Sequence, residues 1–160
     1  AGHERLLKNS LLLLELAKRL RIPVVLTTQY RQGLGAVEPA VLGSAPGAEP
    51  LDKVTFGCFW NEAFLKRMDE LADRDQLVIA GVETHICVCQ TVLGALEKSY
   101  AAHVVSDALG SRTEANHRIG LARMERAGAL VSSTEMAVYE LLGRSDTAAF
   151  KEMLPLLRDR

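Results

Sequence analysis

The chain is predicted to be an α/β domain: a three-layer, Rossmann-like parallel sheet with helices on both faces. Short apolar runs rich in β-branched residues alternate with amphipathic segments of helical periodicity from about residue 76 onward. These runs are apolar enough to be buried on both sides, which is typical of strands in a parallel sheet. A length of 160 residues with 48% hydrophobic residues fits a single domain over residues 1–160.

The N-terminal half begins with a helix rather than a strand. Leucines recur on one side of the first helical segment, and Pro23 separates it from a short β-branched run. The predicted elements are a helix at 4–20, a strand at 23–29, a long irregular stretch at 30–52 rich in glycine and proline, an extended piece at 53–56 and a helix at 62–71. A sheet of this type ordinarily opens with a strand, so its first strand is expected to be absent from this chain.

The C-terminal half carries the clearest alternation. The predicted elements are a strand at 76–82, a helix at 86–100, a strand at 102–107, a helix at 113–127, a strand at 130–133 and helices at 137–142 and 148–157. Thr113 is a candidate N-cap, and Gly128 is a candidate helix stop. Connections of this length between parallel strands predict right-handed crossovers.

Composition limits the classes of function. A formal net charge of −1 gives no reason to expect nucleic acid or an anionic membrane as partner. No apolar run is long enough to cross a bilayer, and no secretory leader is recognisable. The three cysteines lack disulfide-framework spacing, which favours a reducing compartment and hence the cytoplasm. No glycine-rich phosphate loop follows a strand, so no nucleotide cofactor is expected.

Cys87 is the best candidate nucleophile. Ligands of open parallel sheets bind beyond the carboxyl ends of the strands, and Cys87 falls in the first predicted turn after the strand at 76–82. Free backbone N–H groups there stabilise a thiolate and the oxyanion formed when it attacks a carbonyl. Cys89 lies about 200° further around a helix and is predicted to be core. A cysteine at a helix start is also commonly a core residue, so spacing alone leaves both interpretations open.

The segment Gly81–Val88, which reads GVETHICV, together with Thr91 resembles the G-x-x-[TA]-x-x-C-V-x-x-T pattern of isochorismatase-like cysteine hydrolases. The resemblance is greatest to the isochorismatase domain-containing subgroup of unassigned activity, and it spans nearly the whole chain. Further matching segments are Gln29-Tyr30, Lys53-x-x-Phe56, Val105-Ser106-Asp107-Ala108, Ser111-Arg112 and Ser133-Thr134-Glu135-Met136.

The resemblance implies a cysteine hydrolase that cleaves a C–N or similar bond of a small amide- or ester-like substrate. Cys87 matches the nucleophile, and Lys53 matches the lysine that holds charge near the thiolate. The family also implies a cis peptide between Val82 and Glu83, with the N–H groups of Glu83 and Cys87 binding the oxyanion. Assembly into a homo-oligomer is a further implication.

One family residue has no counterpart. The acid/base aspartate of the family ends the first strand, and nothing before residue 5 resembles it. Asp52 adjoins Lys53, but in an extended segment its side chain is expected to point the other way. Either the chain is a fragment of a parent that has this strand, which we favour, or it is a natural variant without hydrolase chemistry. An absent central strand is expected to leave a gap about 4.8 Å wide, with ladder bonds unmade on both sides.

Gln29, Tyr30, Phe56 and Trp60 are predicted to line the substrate pocket, with Phe59 beside them. No metal is expected, because the segment after the second strand lacks the Asp-x-His pair of nicotinamidase-like relatives and the four histidines are scattered. The alternatives are a non-catalytic relative that serves as an interaction or oligomerisation module, and a flavodoxin-like nucleotide binder, for which the phosphate loop is lacking.

Overall fold

A computed structural model describes residues 2–158. The helices are α1 (Gly2–Leu20), α2 (Arg31–Leu34), α3 (Pro39–Ser44), α4 (Glu62–Asp69), α5 (Cys89–Glu97), α6 (Glu114–Arg126), α7 (Thr134–Leu142) and α8 (Ala148–Arg158). The strands are β1 (Thr27–Gln29), β2 (Leu51–Lys53), β3 (Gln76–Val82), β4 (Ala101–Gly110) and β5 (Leu130–Ser132). Parallel strands and flanking helices confirm the predicted α/β class.

The strands form two parallel sheets rather than one. β1 pairs with β2, and a second sheet has the order β3-β4-β5. Within the described residues no ladder joins β1 to β3, so each of these strands has an edge without a hydrogen-bonded neighbour. This matches the interrupted sheet that the sequence predicts.

The strand predicted at 23–29 is wrong over its first four residues. Only Thr27–Gln29 is a strand, paired with the three residues of β2. One further bond, from Leu51 N–H to Leu26 O at 2.9 Å, precedes the ladder. A β-branched sequence forms a strand only where a neighbour takes its backbone hydrogen bonds, and here that neighbour is short.

The stretch at 30–52 is more ordered than predicted. It contains α2 and α3, and Pro39 is at the start of α3, where its missing N–H costs nothing. Lys53 ends β2, whereas the sequence predicted that an extended segment would begin there. Tyr30 joins β1 to α2 in the left-handed conformation, with φ of 44°. The segment that contains these two short helices thus returns the chain to the amino end of β1, where β2 begins parallel to it.

β4 is the central strand of the larger sheet and divides the core into two sides. Val104 packs into the cluster that includes Val92 of α5 and Met124 of α6. Val105, on the opposite face, packs with Leu13 of α1 and with α7. Successive residues of a strand point to opposite faces, so the helices cover both sides of β4. This confirms the layered arrangement around the larger sheet.

β3 is covered on one face only. Leu77 and Ile79 pack against the main core cluster. On the other face Val78 is 43% and Val82 61% exposed, because α1 lies mainly over β4. The sequence predicted burial on both faces, and that prediction is wrong for β3.

Side chains fix the starts of the late helices. The hydroxyl of Thr113 accepts from Asn116 N–H, which confirms the predicted N-cap of α6. Ser133 caps α7 in the same way, so this helix begins three residues earlier than predicted. Gly128, with φ of 107°, follows the end of α6. In the described part of the chain, no helix combines the length and apolarity needed to cross a bilayer.

Candidate functional site

Cys87 lies where the chain leaves the sheet. β3 ends at Val82, and the chain continues into a wider, π-helical turn at Thr84–Val88 before α5 begins. The N–H of Val88 donates to the carbonyl of Glu83, five residues earlier, at 3.2 Å. The regular helix predicted from residue 86 is therefore a π turn at its start, and Cys87 is half-buried within it.

The other two cysteines belong to the core. Cys89 and Cys58 are 4% and 7% exposed and pack in the main apolar cluster. Burial raises the pKa of the Cys89 thiol, while the positive charge of Arg123 acts in the opposite direction. The expected core position of Cys89 is confirmed, and Cys87 is the only cysteine that is not buried among the described residues.

Lys53 is buried rather than a surface lysine. It ends β2 with 5% of its area exposed. Its ammonium donates to Gln29 Oε1 at 2.6 Å, to the carbonyl of Thr55 at 3.0 Å and to the carbonyl of Phe56 at 2.8 Å. An ammonium has three protons, so all of its donors are used, and each acceptor is neutral.

Gln29 connects Lys53 to Cys87. It lies opposite Lys53 in the β1–β2 ladder, so their side chains share one face. Its Nε2 donates to the carbonyl of Val54 at 2.9 Å, while its Oε1 accepts from Lys53 and faces Cys87 Sγ at 3.8 Å. Gln29 was predicted as a pocket residue, and its role as the link between the other two was missed.

Asp52 is on the other face of the same ladder. Its carboxylate accepts from the Thr28 hydroxyl at 2.8 Å and from Arg31 N–H at 3.0 Å. The Thr28 hydroxyl, followed by Arg31 N–H, holds the pKa of Asp52 below its usual value. The expectation that Asp52 points away from Lys53 is confirmed. Asp52, Tyr30, Arg31 and Gln32 line an open surface depression that does not include Cys87.

The peptide between Val82 and Glu83 is cis, as the resemblance implies. Glu83 Oε1 accepts from the backbone N–H of Arg112 at 3.1 Å and from its guanidinium Nε at 3.0 Å. Arg112 thereby ties the end of β4 to the residue after β3. Its place in the matching Ser111-Arg112 segment was noted from the sequence, but this contact was not predicted.

Thr91 joins the cysteine turn to the loop after β2. Its hydroxyl donates to the carbonyl of Cys87 at 2.7 Å and accepts from the backbone N–H of Cys58 at 3.0 Å. The loop that it holds also supplies the carbonyls of Thr55 and Phe56 that bind Lys53. Thr91 belongs to the motif read from the sequence, but only the fold gives its role.

The histidines near the turn have polar partners. His85 Nδ1 and Ser111 Oγ lie 2.9 Å apart, and His117 Nδ1 and Thr84 Oγ1 lie 2.8 Å apart. Over residues 2–158, no three His, Cys, Asp or Glu side chains gather closely enough to hold a metal ion.

The three aromatic side chains predicted to line the substrate pocket are exposed. Tyr30, Phe56 and Trp60 are 51%, 53% and 59% exposed, and each is close in sequence to Gln29 or Lys53. Phe59 is 6% exposed, and its ring packs edge-on against that of Phe64. Phe59 is therefore core, and its expected place in a pocket wall is wrong. Substrate contact by the other three stays a prediction.

The arrangement brings a thiol and a buried ammonium to one amide oxygen at the carboxyl ends of parallel strands. Among the described residues no carboxylate hydrogen-bonds or ion-pairs with Lys53 or Cys87. The site can present a sulfur nucleophile next to a fixed positive charge. Among the described residues, neither a carboxylate nor an imidazole hydrogen-bonds to Cys87 Sγ, and His85 in the same turn is paired with Ser111.

A family model described as the isochorismatase domain matches residues 1–136. The curated protein "Secreted isochorismatase effector Isc1" of Phytophthora sojae is 36% identical over 146 residues, which cover 89% of this chain and 70% of that protein. "Isochorismatase domain-containing protein 2" of Homo sapiens is 33% identical over 147 residues, which cover 92% of this chain and 70% of that protein.

Solved structures agree with the family match. A Caenorhabditis elegans protein described as MAR1 ribonuclease superposes with a TM-score of 0.90 at 31% identity, covering 97% of this chain and 79% of that one. The YcaC gene product of Escherichia coli, described as an octameric hydrolase of unknown specificity, gives 0.88 at 29% identity, covering 96% and 76%. YcaC from Pseudomonas aeruginosa, described with hexane-2,5-diol and covalent acrylamide, gives 0.88 at 29%, covering 96% and 77%.

Proposed function

Because the chain belongs to the isochorismatase family, we propose that it is a cysteine hydrolase that cleaves a C–N or similar bond of a small amide- or ester-like substrate through Cys87. The chain shares its fold with an E. coli protein described as a hydrolase. The observation that carries the proposal is that Cys87 Sγ and the buried ammonium of Lys53 both contact Gln29 Oε1.

In the proposed reaction, the sulfur of Cys87 attacks the carbonyl carbon of the substrate. The N–H groups of Glu83 and Cys87 are the proposed donors to the oxyanion, and Lys53 supplies positive charge beside the sulfur. The C–N bond then breaks, the amine leaves with the proton that the thiol gave up, and a thioester remains. Water hydrolyses the thioester to a carboxylic acid and restores the thiol.

One observation favours the second candidate, a non-catalytic isochorismatase-fold protein that acts in interaction or oligomerisation. No described carboxylate reaches Lys53 or Cys87, so no described acid/base group of that kind takes the thiol proton. The two candidate functions share a fold and differ in whether Cys87 catalyses turnover of a substrate. Chemical reactivity of the sulfur separates them.

The test uses acrylamide and p-nitrophenyl acetate on the purified chain. Acrylamide is a suitable electrophile because it is covalently bound in the P. aeruginosa neighbour. We expect acrylamide to label Cys87 well ahead of Cys58 and Cys89, and p-nitrophenyl acetate to leave an acetyl group on Cys87 that is then released. Cys87→Ser should abolish both, and Cys89→Ala is the matched control.

If Cys87-dependent release of p-nitrophenol is absent, the result favours the non-catalytic candidate, whatever the rate of labelling. A third incubation, with single-stranded RNA, addresses the description of the C. elegans neighbour as a ribonuclease. We expect no cleavage, because a net charge of −1 offers little attraction to a polyphosphate.

We also propose a single domain over residues 1–160 and a homo-oligomeric assembly. The octameric description of the E. coli neighbour supports assembly. One cooperative unfolding transition supports the single domain, and light scattering gives the mass of the assembly. Separate transitions, or the mass of one chain at all concentrations, argue against these two proposals.

The cytoplasm is the proposed compartment, because all three cysteines are free thiols of the kind that reducing compartments preserve. The P. sojae relative, in contrast, is named a secreted effector. Fractionation of the source cells tests this proposal, and recovery of the protein only from the medium contradicts it.

A further inference from the structure

We propose that Gln29 is the positioning residue that keeps Cys87 protonated until substrate arrives, by placing an acceptor oxygen against the sulfur and holding the Lys53 ammonium away from it. This inference rests on the proposed function, because it assigns a control over the proposed nucleophile. It also concerns a property of the thiol that can be measured without turnover.

The orientation of the Gln29 amide follows from its neighbours. Nε2 donates to the carbonyl of Val54 at 2.9 Å, so the oxygen end must face Lys53 and Cys87. The reverse orientation would place an NH₂ group against an ammonium and leave a carbonyl against a carbonyl. Because Gln29 lies directly opposite Lys53 in the β1–β2 ladder, the position of the Gln29 side chain along the strand is also fixed.

An amide oxygen accepts hydrogen bonds and cannot donate them. At 3.8 Å from Cys87 Sγ, Gln29 Oε1 therefore binds the S–H form and repels the negative charge of a thiolate. The thiol form thus has a hydrogen-bond partner that the thiolate form lacks. Gln29 opposes the general attraction of Lys53 for a thiolate.

Lys53 has no proton left for the sulfur. Its three donors are taken by Gln29 and by the carbonyls of Thr55 and Phe56. The donor committed to Gln29 is the one next to Cys87, since the same oxygen contacts the sulfur. Removing the Gln29 oxygen frees that proton to turn toward the sulfur, and the ammonium can then bind a thiolate directly.

Three other titratable groups at or beside the Thr84–Val88 turn have partners of their own, and the positive charge of Arg123 acts on Cys89. Glu83 is bound by Arg112, His85 by Ser111 and His117 by Thr84. The remaining thiols, Cys58 and Cys89, are buried in the core. Of these groups, none has a hydrogen bond to Cys87 Sγ, so a change at Gln29 should dominate its protonation.

The experiment compares two substitutions that act in opposite directions. Gln29→Met keeps the length but removes the oxygen, and Gln29→Glu replaces a neutral acceptor with a charge. We measure the rate of Cys87 alkylation by iodoacetamide from pH 5 to 10. Relative to the unsubstituted chain, we expect the pH of half-maximal rate to fall by about one unit in Gln29→Met and to rise by about one unit in Gln29→Glu.

A purely structural role would disturb packing in both variants and move the midpoint in the same direction or not at all. Either of those results overturns the proposal. Gln32→Glu is the matched control, because Gln32 is exposed and the added charge is the same. If Gln29→Met does not fold, Gln29→Glu and Gln32→Glu are compared instead. The proposal then requires that the pH of half-maximal alkylation rises in Gln29→Glu and stays unchanged in Gln32→Glu.

The result is independent of hydrolysis. If the chain fails to release p-nitrophenol but the two variants shift in opposite directions, the proposed function is wrong and the role of Gln29 stands. If the chain hydrolyses the ester but the midpoints do not move, the proposed function stands and the role of Gln29 is wrong.

Discussion

The hydroxyl of Thr91 accepts the buried backbone N–H of Cys58 at 3.0 Å while it donates to the carbonyl of Cys87 at 2.7 Å. One side chain therefore fixes the distance between the cysteine turn and the loop whose carbonyls hold Lys53. The contact with Cys87 spans one helical turn, whereas Cys58 lies 33 residues before Thr91.

Substitution of Thr91 tests this link. Thr91→Val keeps the shape but leaves the buried Cys58 N–H without its acceptor, which costs about 1–3 kcal/mol of unfolding free energy. Denaturant unfolding measures the loss, and we expect slower alkylation of Cys87 in the same variant. Thr91→Ser keeps the hydroxyl and should retain most of both properties. Equal losses in the Val and Ser variants would mean that packing of the methyl group, rather than the hydroxyl, matters.

The acid stability of the chain should depend on Thr28. Its hydroxyl helps to lower the pKa of Asp52 in the folded chain below the usual value of 3.8. A carboxyl group with a lowered pKa stabilises the fold above pH 3.8, and this contribution is lost as the pH falls through the lowered value. We expect Thr28→Val to reduce the unfolding free energy at pH 7 and the difference from the unsubstituted chain to narrow below pH 4. A difference that is constant from pH 7 to pH 3 would contradict this role.

The three thiols should react in two classes. Cys87 is half-buried, whereas Cys58 and Cys89 are core residues, and burial raises the pKa of Cys89. With Ellman's reagent at neutral pH we expect one fast thiol per native chain and all three in denaturant. Peptide mapping identifies the fast residue. Two fast thiols in the native protein would show that the core around Cys58 or Cys89 opens readily.

The start of α7 depends on Asp107. One of its carboxylate oxygens accepts from the backbone N–H of Thr134 at 2.7 Å and from the Thr134 hydroxyl at 2.8 Å. Thr134 is fully buried, so Asp107→Ala leaves both donors unsatisfied and should cost about 1.5–3 kcal/mol of unfolding free energy. Asp107→Asn keeps an acceptor oxygen and should lose less. Thermal and denaturant unfolding give both values, and identical losses would argue that charge alone is important.

Several features of the fold can be read from the sequence because they depend on neighbours close in the chain. Alternating runs gave β3, β4 and β5 and the helices after them, and the Thr113 cap was recognisable from its residue type. The predicted break in the sheet also followed from the order of elements, since the chain begins with a helix.

The remaining differences arise from contacts distant in the chain. The length of β1 depends on how far β2 runs beside it, which periodicity does not reveal. The exposed face of β3 depends on where α1 lies. The residue type of Val78 does not reveal whether another element covers its side chain. The π turn at Thr84–Val88 is a local distortion that a helical pattern cannot distinguish from a regular turn.

The candidate site also contains residues that the sequence identified and contacts that it did not. Cys87 and Lys53 were identified from a resemblance, and the structure brings both to Gln29. The link through Gln29 was not predicted, because it depends on cross-strand register: a shift of one residue would place Thr28 opposite Lys53 instead. The role of Thr91 depends on a loop more than thirty residues away and has no local signal.

β1 and β3 each have one edge that lacks a ladder partner among residues 2–158, and this affects how the protein should be handled. An edge strand with unpaired N–H and C=O groups can form hydrogen bonds with an extended segment of another chain. β3 is the more favourable edge for such pairing, because the exposed side chains of Val78 and Val82 add an apolar surface next to it. We therefore expect association of copies through the β3 edge to increase with protein concentration.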